Sequence, residues 1–194
     1  MALRDYERAP ESSPTLATER LELRRVTEGD APFILALLNE PAFLRFVGDR
    51  NVHTLEDAAT YIRDRMLASY AAHGFGFEVM QLRGTDIPIG ICGLVKREAL
   101  EHPDIGFAML AQFCGKGYAI EAARAVLAHA REALGLTQIV AITAAENHAS
   151  GKLLEKLGLN FERMIQLPDF AAPSKLYVVR TSLPEAPRPR KLRE

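Results

Sequence analysis

A chain of 194 residues is long enough to bury one core without metal or disulfide staples. Its formal net charge of -1, with both signs interspersed, excludes bulk attraction to nucleic acid or to an anionic membrane, so selectivity must come from a local site. Cys92 and Cys114 lie in or beside apolar runs without zinc or redox spacing and are read as two reduced core thiols, and the histidines show no metal spacing, so no metal site is expected. The opening "MALRDYERAPESSP" has no apolar signal core and no later stretch reaches the length of a membrane span; the expectation is a soluble cytoplasmic protein, monomeric or homodimeric, with neither nucleic acid nor membrane as partner.

Residues 1–14 and 184–194 ("PEAPRPRKLRE") are proline-rich and charged and lack apolar periodicity, so they are read as flexible tails around a single domain over 15–183. Arg188, Arg190, Lys191 and Arg193 make the second tail basic. Within the domain, "RLELRR" alternates like an edge strand, and Thr27, three residues before Asp30, signals the start of a helix over "TEGDAPFILALLNE". The segment "PAFLRFVGDRNVH" is read as a loop. A second helix follows, opened by Thr54 with Asp57 three residues on, carrying apolar residues at helical spacing, and stopped at Gly74. "FGFEVMQLRG", "IPIGICGLVKRE" and "PDIGFAML" read as three strands, the last two apolar on both faces and therefore central. A helix over "GYAIEAARAVLAHAREALG" leads to the short strand "QIVAIT", a helix in "NHASGKLLEKLG" ending at Gly158, and the strands "LNFERMIQL" and "SKLYVVRTSL". This order specifies a mixed α/β sheet rather than a strictly alternating doubly wound one.

The stretch with most chemical content is "QFCGKGYA", between a buried strand and a helix. A helix N-terminus leaves N–H groups without internal partners and carries partial positive charge, and glycines let a phosphate approach those amides closely. Gly115 and Gly117 supply that freedom and Lys116 a cation, although a steric strand-to-helix turn would also use glycine. A Walker A loop is excluded, because Leu110 stands where it needs glycine and Gly117 where it needs Ser or Thr. A dinucleotide fingerprint from Gly115 would need Gly or Ala at Ile120, and "QIVAIT" carries no terminal acid. That argues against a nicotinamide-dependent oxidoreductase.

"QFCGKGYA" resembles the Q/R-x-x-G-x-G/A motif of the GNAT acyltransferase superfamily. "NHASGKLLEKLGL" resembles that superfamily's Asn-led last helix, with Leu159 where phenylalanine is usual. "RLELRRVTEGDAPFILALLNE" resembles its opening strand and helix, and residues 16–182 are similar in order and length to the ribosomal-protein N-acetyltransferase (RimJ/RimL-like) branch. The resemblance implies a GNAT fold: a mixed, mostly antiparallel sheet of six to seven strands flanked by helices, with a splayed central parallel strand pair. It further implies that acetyl-CoA is bound with its pantetheine arm along Phe107, Ala108, Met109, Leu110 and Ala111 after the strand "DIGFAML", and that the motif beginning at Gln112 places the diphosphate on Gly115, Lys116, Gly117, Tyr118 and Ala119. Asn147 would meet the pantetheine and Lys152 or Lys156 the adenosine phosphates; read from the residues alone, Asn147 is a helix cap and the lysines a solvated face.

Direct transfer needs a neutral amine, a donor for the thioester oxygen and a proton for the departing thiolate. A backbone N–H near Leu110 is the expected oxygen donor. Many superfamily members protonate the thiolate with a tyrosine seven residues past the Asn, where this chain has Leu154, so Ser150 is the first choice, with water as the other. Glu78, Glu98, Glu101, His102 and Asp104 flank the expected cleft, and Glu98 and Asp104 are taken as the bases to test. Phe43, Phe46 and Phe170 are expected to shape the acceptor pocket or to anchor loops. The function that follows is an acetyl-CoA-dependent N-acetyltransferase acting on a primary amine, with a catalytically inactive acyl-CoA sensor as the rival.

Overall fold

The structure, a computed structural model, describes residues 15–168, 170 and 172–180. The two expected tails lie outside the described residues, apart from which the expected elements appear in the expected order. Eight strands form one sheet: β1 (Leu16–Ala17), β2 (Leu21–Arg25), β3 (Phe77–Leu82), β4 (Pro88–Val95), β5 (Asp104–Met109), β6 (Gln138–Ala144), β7 (Asn160–Ile165) and β8 (Ser174–Arg180). Their spatial order is β1-β2-β3-β4-β5-β6-β8-β7, and every pair is antiparallel except β5 with β6. The expected count of six to seven is thus exceeded by one. β1 is the addition; two residues carry no alternation to read, and it is held by hydrogen bonds from Thr15 and Thr18 to Leu23 and Leu21. β4, buried along nearly its whole length, lies in the middle of the sheet beside β5, as its two-sided burial requires.

Two of the four helices before β3 begin where short polar side chains satisfy free amides. Thr27 donates its backbone N–H to Asp30 at 2.8 Å, opening a 3-10 turn that runs into α1 (Ala31–Leu38). Thr54 and Asp57 cap each other reciprocally at the start of α3 (Leu55–Tyr61), which continues through a π-helical stretch into α4 (Ala68–His73) and stops at Gly74 with φ +77°. Between them the segment read as a loop holds a further helix, α2 (Pro41–Phe46). Proline at its first turn fixes φ for a helix, but six residues are too few to show a period. Asp30 also forms a buried fork with Arg24, at 2.9 and 2.7 Å, which ties β2 to α1.

Residues directly paired across strands share a face. One face carries Arg25, Glu78, Cys92 and Phe107 in a row. α5 (Tyr118–Glu132) packs on β4 and β5, burying Ala122, Ala123, Val126 and Ala130 as its apolar stripe requires. On β6 and β8, Ile139, Ala141 and Tyr177 join the main core with Leu154 of α6 (His148–Lys156), whereas Val140, Leu176 and Val178 face the other way. Those form a second, smaller core with Leu100 and Leu167, roofed by Phe170.

Candidate active site

β5 pairs with β4 along its whole length, from Asp104↔Val95 to Met109↔Gly90, yet meets β6 at a single position, Asp104↔Val140. Val140 donates to the Pro103 carbonyl at 2.9 Å, and from there the parallel strands part. The edge of β5 facing β6 is therefore without a strand partner over Ile105 to Met109, in the middle of a sheet. Such an edge offers amide and carbonyl groups to an extended ligand lying in the gap. Phe107, Ala108 and Met109, half-buried, line it. Leu110 does not: it is buried, and its N–H donates to the Ile89 carbonyl at 3.0 Å. The donor expected near Leu110 is thus not the Leu110 amide itself, which the β4–β5 ladder claims one residue past Met109. Gln112 follows, exposed, on a 3-10 turn anchored by buried Phe113 and by Ala111 donating its N–H to Glu40 at 3.2 Å.

At the end of that turn Cys114 donates to the Ala111 carbonyl, and the next satisfied amide is that of Glu121, bonded to the Gly117 carbonyl at 3.2 Å. Among the described residues no acceptor meets the N–H groups of Gly115, Lys116, Gly117, Tyr118, Ala119 or Ile120. Gly115 and Gly117 take φ of +76° and +84°, so the chain doubles back in a conformation that side chains rarely adopt. Six open amides at the head of a fifteen-residue helix, on an exposed turn with Lys116 at its rim, have the polarity and charge that suit a multiply charged anion. Cys114 is exposed beside it, which corrects the reading of both cysteines as core thiols; Cys92 alone is buried, and burial drives its thiol pKa upward.

Across the gap, Asn147 caps α6, its Oδ1 accepting the Ser150 N–H at 3.1 Å. The carboxamide nitrogen keeps no protein partner among the described residues. Ser150 is half-buried one turn into the helix; Leu154, where the superfamily tyrosine would stand, is sealed in the core at 1 % exposure. Lys152 and Lys156 are exposed. Gly151 lies against β8 so closely that a Cβ there would come within 2.9 Å of the Tyr177 hydroxyl.

The proposed bases separate sharply. Asp104 sits at the fork of the two strands, 2 % exposed, ion-paired through Oδ2 to Arg97 Nε at 2.7 Å and with Oδ1 unpartnered. Burial raises its carboxyl to about 6, against the opposing charge and hydrogen bond of Arg97 and the backbone N–H of Ile142. Its pairing with Val140 turns it to the face of the smaller core, where the Arg97 and Arg50 guanidinium groups lie 5.6 and 5.7 Å from the Phe170 ring. Glu98 is exposed on the turn after β4 and is not brought to this cluster by any contact, and Glu101 is likewise exposed. Glu78 belongs to the opposite face; burial raises its pKa, while the Thr15 hydroxyl donates to it at 2.6 Å. Phe43 and Phe46 lie on α2, half-buried. Arg97, Arg50 and Tyr177 escape a reading of the sequence, since no local spacing ties them to their partners.

Residues 20–160 match the acetyltransferase (GNAT) domain family, most of the chain. The chain belongs to the GNAT acetyltransferase family. Among curated relatives of this GNAT protein, the uncharacterized N-acetyltransferase YoaA of Bacillus subtilis is 29% identical over 154 residues, covering 79% of this chain and 86% of its own. The FsC-acetyl coenzyme A-N(2)-transacetylase of Aspergillus fumigatus is 28% identical, covering 76% and 66%. The crystal structure of an acetyltransferase from Agrobacterium tumefaciens superposes with a TM-score of 0.73 at 25% identity, over 90% of this chain and 99% of that one. RimL, a ribosomal L7/L12 alpha-N-protein acetyltransferase solved with coenzyme A, shares the fold at a TM-score of 0.73 and 16% identity, over 87% and 98%. This GNAT fold is the mixed sheet with one parallel pair that the sequence resemblance implies. Among the described residues no helix is long and apolar enough to cross a membrane.

Proposed function

We propose that the chain moves the acetyl group of acetyl-CoA directly to a primary amine, such as a protein or peptide N-terminus or a small amine. The observation that carries this reading is the run of unsatisfied amides from Gly115 to Ile120 at the end of a strand that parts from its neighbour after one residue pair. Those amides and Lys116 suit a diphosphate, the open edge of β5 at Phe107, Ala108 and Met109 suits an amide-bearing pantetheine arm, and the free Asn147 nitrogen and Lys152 supply further donors beside it. When bound, acetyl-CoA supplies a thioester whose carbonyl carbon the amine attacks and whose sulfur leaves.

The protein's own groups handle the protons. Asp104, with its carboxyl at about 6, is mostly ionised at neutral pH yet basic enough to accept a proton from an ammonium held near the fork. Arg97 fixes one carboxylate oxygen, and the other, near the Ile142 N–H, would take that proton. An α-amino group, with a pKa near ~8, asks less of this base than a lysine near ~10.4. The Ser150 hydroxyl, one turn into α6, is the donor for the thiolate, and the coenzyme thiol is acidic enough for water to assist. Incubating the protein with acetyl-CoA and a panel of amines, peptides with free N-termini included, while following thiol release, tests the assignment. Release above hydrolysis with at least one amine is expected.

The buried Leu154 favours one alternative, a binding module without catalysis. Tight coenzyme A binding with no turnover on any amine would select it.

A further inference from the structure

We infer that Arg20, on the turn between β1 and β2, is a positioning residue that sets the shape of the diphosphate loop; the inference rests on the acetyl-CoA reading above. Its guanidinium reaches across about a hundred residues of sequence to the loop itself. Nη1 donates to the Lys116 carbonyl at 3.0 Å, between the two left-handed glycines. Nη2 lies 3.3 Å from where a Cβ on Gly117 would stand, and the group's carbon is 4.7 Å from the centroid of the Tyr118 ring. Thus one side chain binds Lys116, stands over Tyr118 and closes the space beside Gly117 between them.

That side chain is held from behind. Glu121, in the first turn of α5, accepts from Arg20 Nε at 2.6 Å, from the Arg20 backbone N–H at 2.9 Å and from the Thr18 hydroxyl at 2.6 Å. Burial alone would raise the Glu121 carboxyl, but these donors outweigh it and hold it below the usual range. The Arg20 turn is fixed on its other side as well, since Arg83 donates its backbone N–H to the Arg20 carbonyl and its guanidinium to the Thr18 carbonyl, both at 2.9 Å. A carbonyl tied down in the middle of the loop keeps the flanking amides pointing away from it, towards the anion. The same contact leaves two guanidinium N–H groups of a partly exposed cation beside the phosphate site. The β1–β2 hairpin, remote in sequence from the motif, therefore completes it.

The test compares Arg20→Ala with wild type using two donors, acetyl-CoA and S-acetylpantetheine, which carries the same thioester arm without the diphosphate. A roughly tenfold rise in KM for acetyl-CoA is expected, the size of a lost hydrogen-bond set to a charged group, with kcat near wild type and S-acetylpantetheine kinetics unchanged. Arg20→Lys, which keeps the charge but not the fork, should recover part of the loss. An unchanged KM for acetyl-CoA, or an equal loss with both donors, overturns the inference. If Arg20→Ala does not fold, Glu121→Gln, which frees the arginine while keeping it, must show the same donor-selective loss. Failure of wild type to bind coenzyme A would instead remove the cofactor reading from which this one starts.

Discussion

The two sides of the strand fork are built by different means. On the proposed donor side, one continuous segment, β5 followed by the glycine turn and the head of α5, presents its groups through the backbone, so the necessary information is local: two glycines, a helix and an open strand edge. On the proposed acceptor side, Asp104, Arg97, Arg50 and Phe170 come from three separate segments and would act through side chains whose protonation and packing depend on burial. A backbone site is robust to most substitutions and sensitive to those that change φ; a side-chain site is the reverse. Each half should therefore fail in its own kinetic parameter.

Asp104→Asn should give the largest effect, a fall in kcat of about a thousandfold as expected for loss of a general base. Coenzyme A affinity, read by calorimetry, should hold. Wild-type rate should decline as pH falls through about 6, because protonation of Asp104 removes the base, and the residual rate of the variant should lack that limb. A variant that keeps the acidic limb would assign it to another group and dissolve the distinction between the two sides.

Gly117→Val attacks the donor side. The position has φ +84° and Arg20 stands 3.3 Å from the new Cβ, so strain and misaligned amides should cost roughly 3 kcal/mol, about a hundredfold in acetyl-CoA KM. Thermal unfolding should still show one transition, and kcat at saturating donor should change little. Equal losses in kcat and KM would mean that the loop also orients the acceptor side.

Ser150→Ala sharpens the comparison at the boundary: a fall in kcat of about tenfold, below the usual hundredfold or more because water can replace this donor, with no change in coenzyme A affinity. Lys152→Ala should be the mildest, about a twofold rise in acetyl-CoA KM that fades with added salt, since an exposed lysine contributes a screened charge. The Arg20–Glu121 contact adds a pH test on stability. Because the folded Glu121 pKa lies below its ordinary 4.5, its contribution is present above that value and is lost as pH falls through the folded one; Glu121→Gln should flatten this part of the acid-unfolding curve.

What was legible follows the same division. Caps at Thr27 and Thr54, stops at Gly74 and Gly158, central β4 and β5, and the glycine turn all depend on neighbours within a few residues, and all stand where the local pattern puts them. The short α2 and the two-residue β1 did not show a period, because each is held by contacts rather than by its own repeat. Leu110 reads as part of the cleft by position, and only the pairing of its amide with Ile89 removes it from the free donors. Glu98 and Asp104 are equally good carboxylates by composition; one is solvated and the other is sealed beside Arg97.

The amino-acid sequence by itself determined the order of elements, the phosphate-suited turn and the absence of a tyrosine at Leu154, because those rest on local backbone preferences and on residue identity. The tertiary structure alone decided that β5 and β6 part after Asp104, that Asp104 is buried against Arg97 with its carboxyl raised to about 6, and that Arg20 reaches Lys116 and Tyr118. Burial, desolvation and contacts between distant segments exist only once the chain has closed on itself, and they are what turn a recognisable loop into a shaped site.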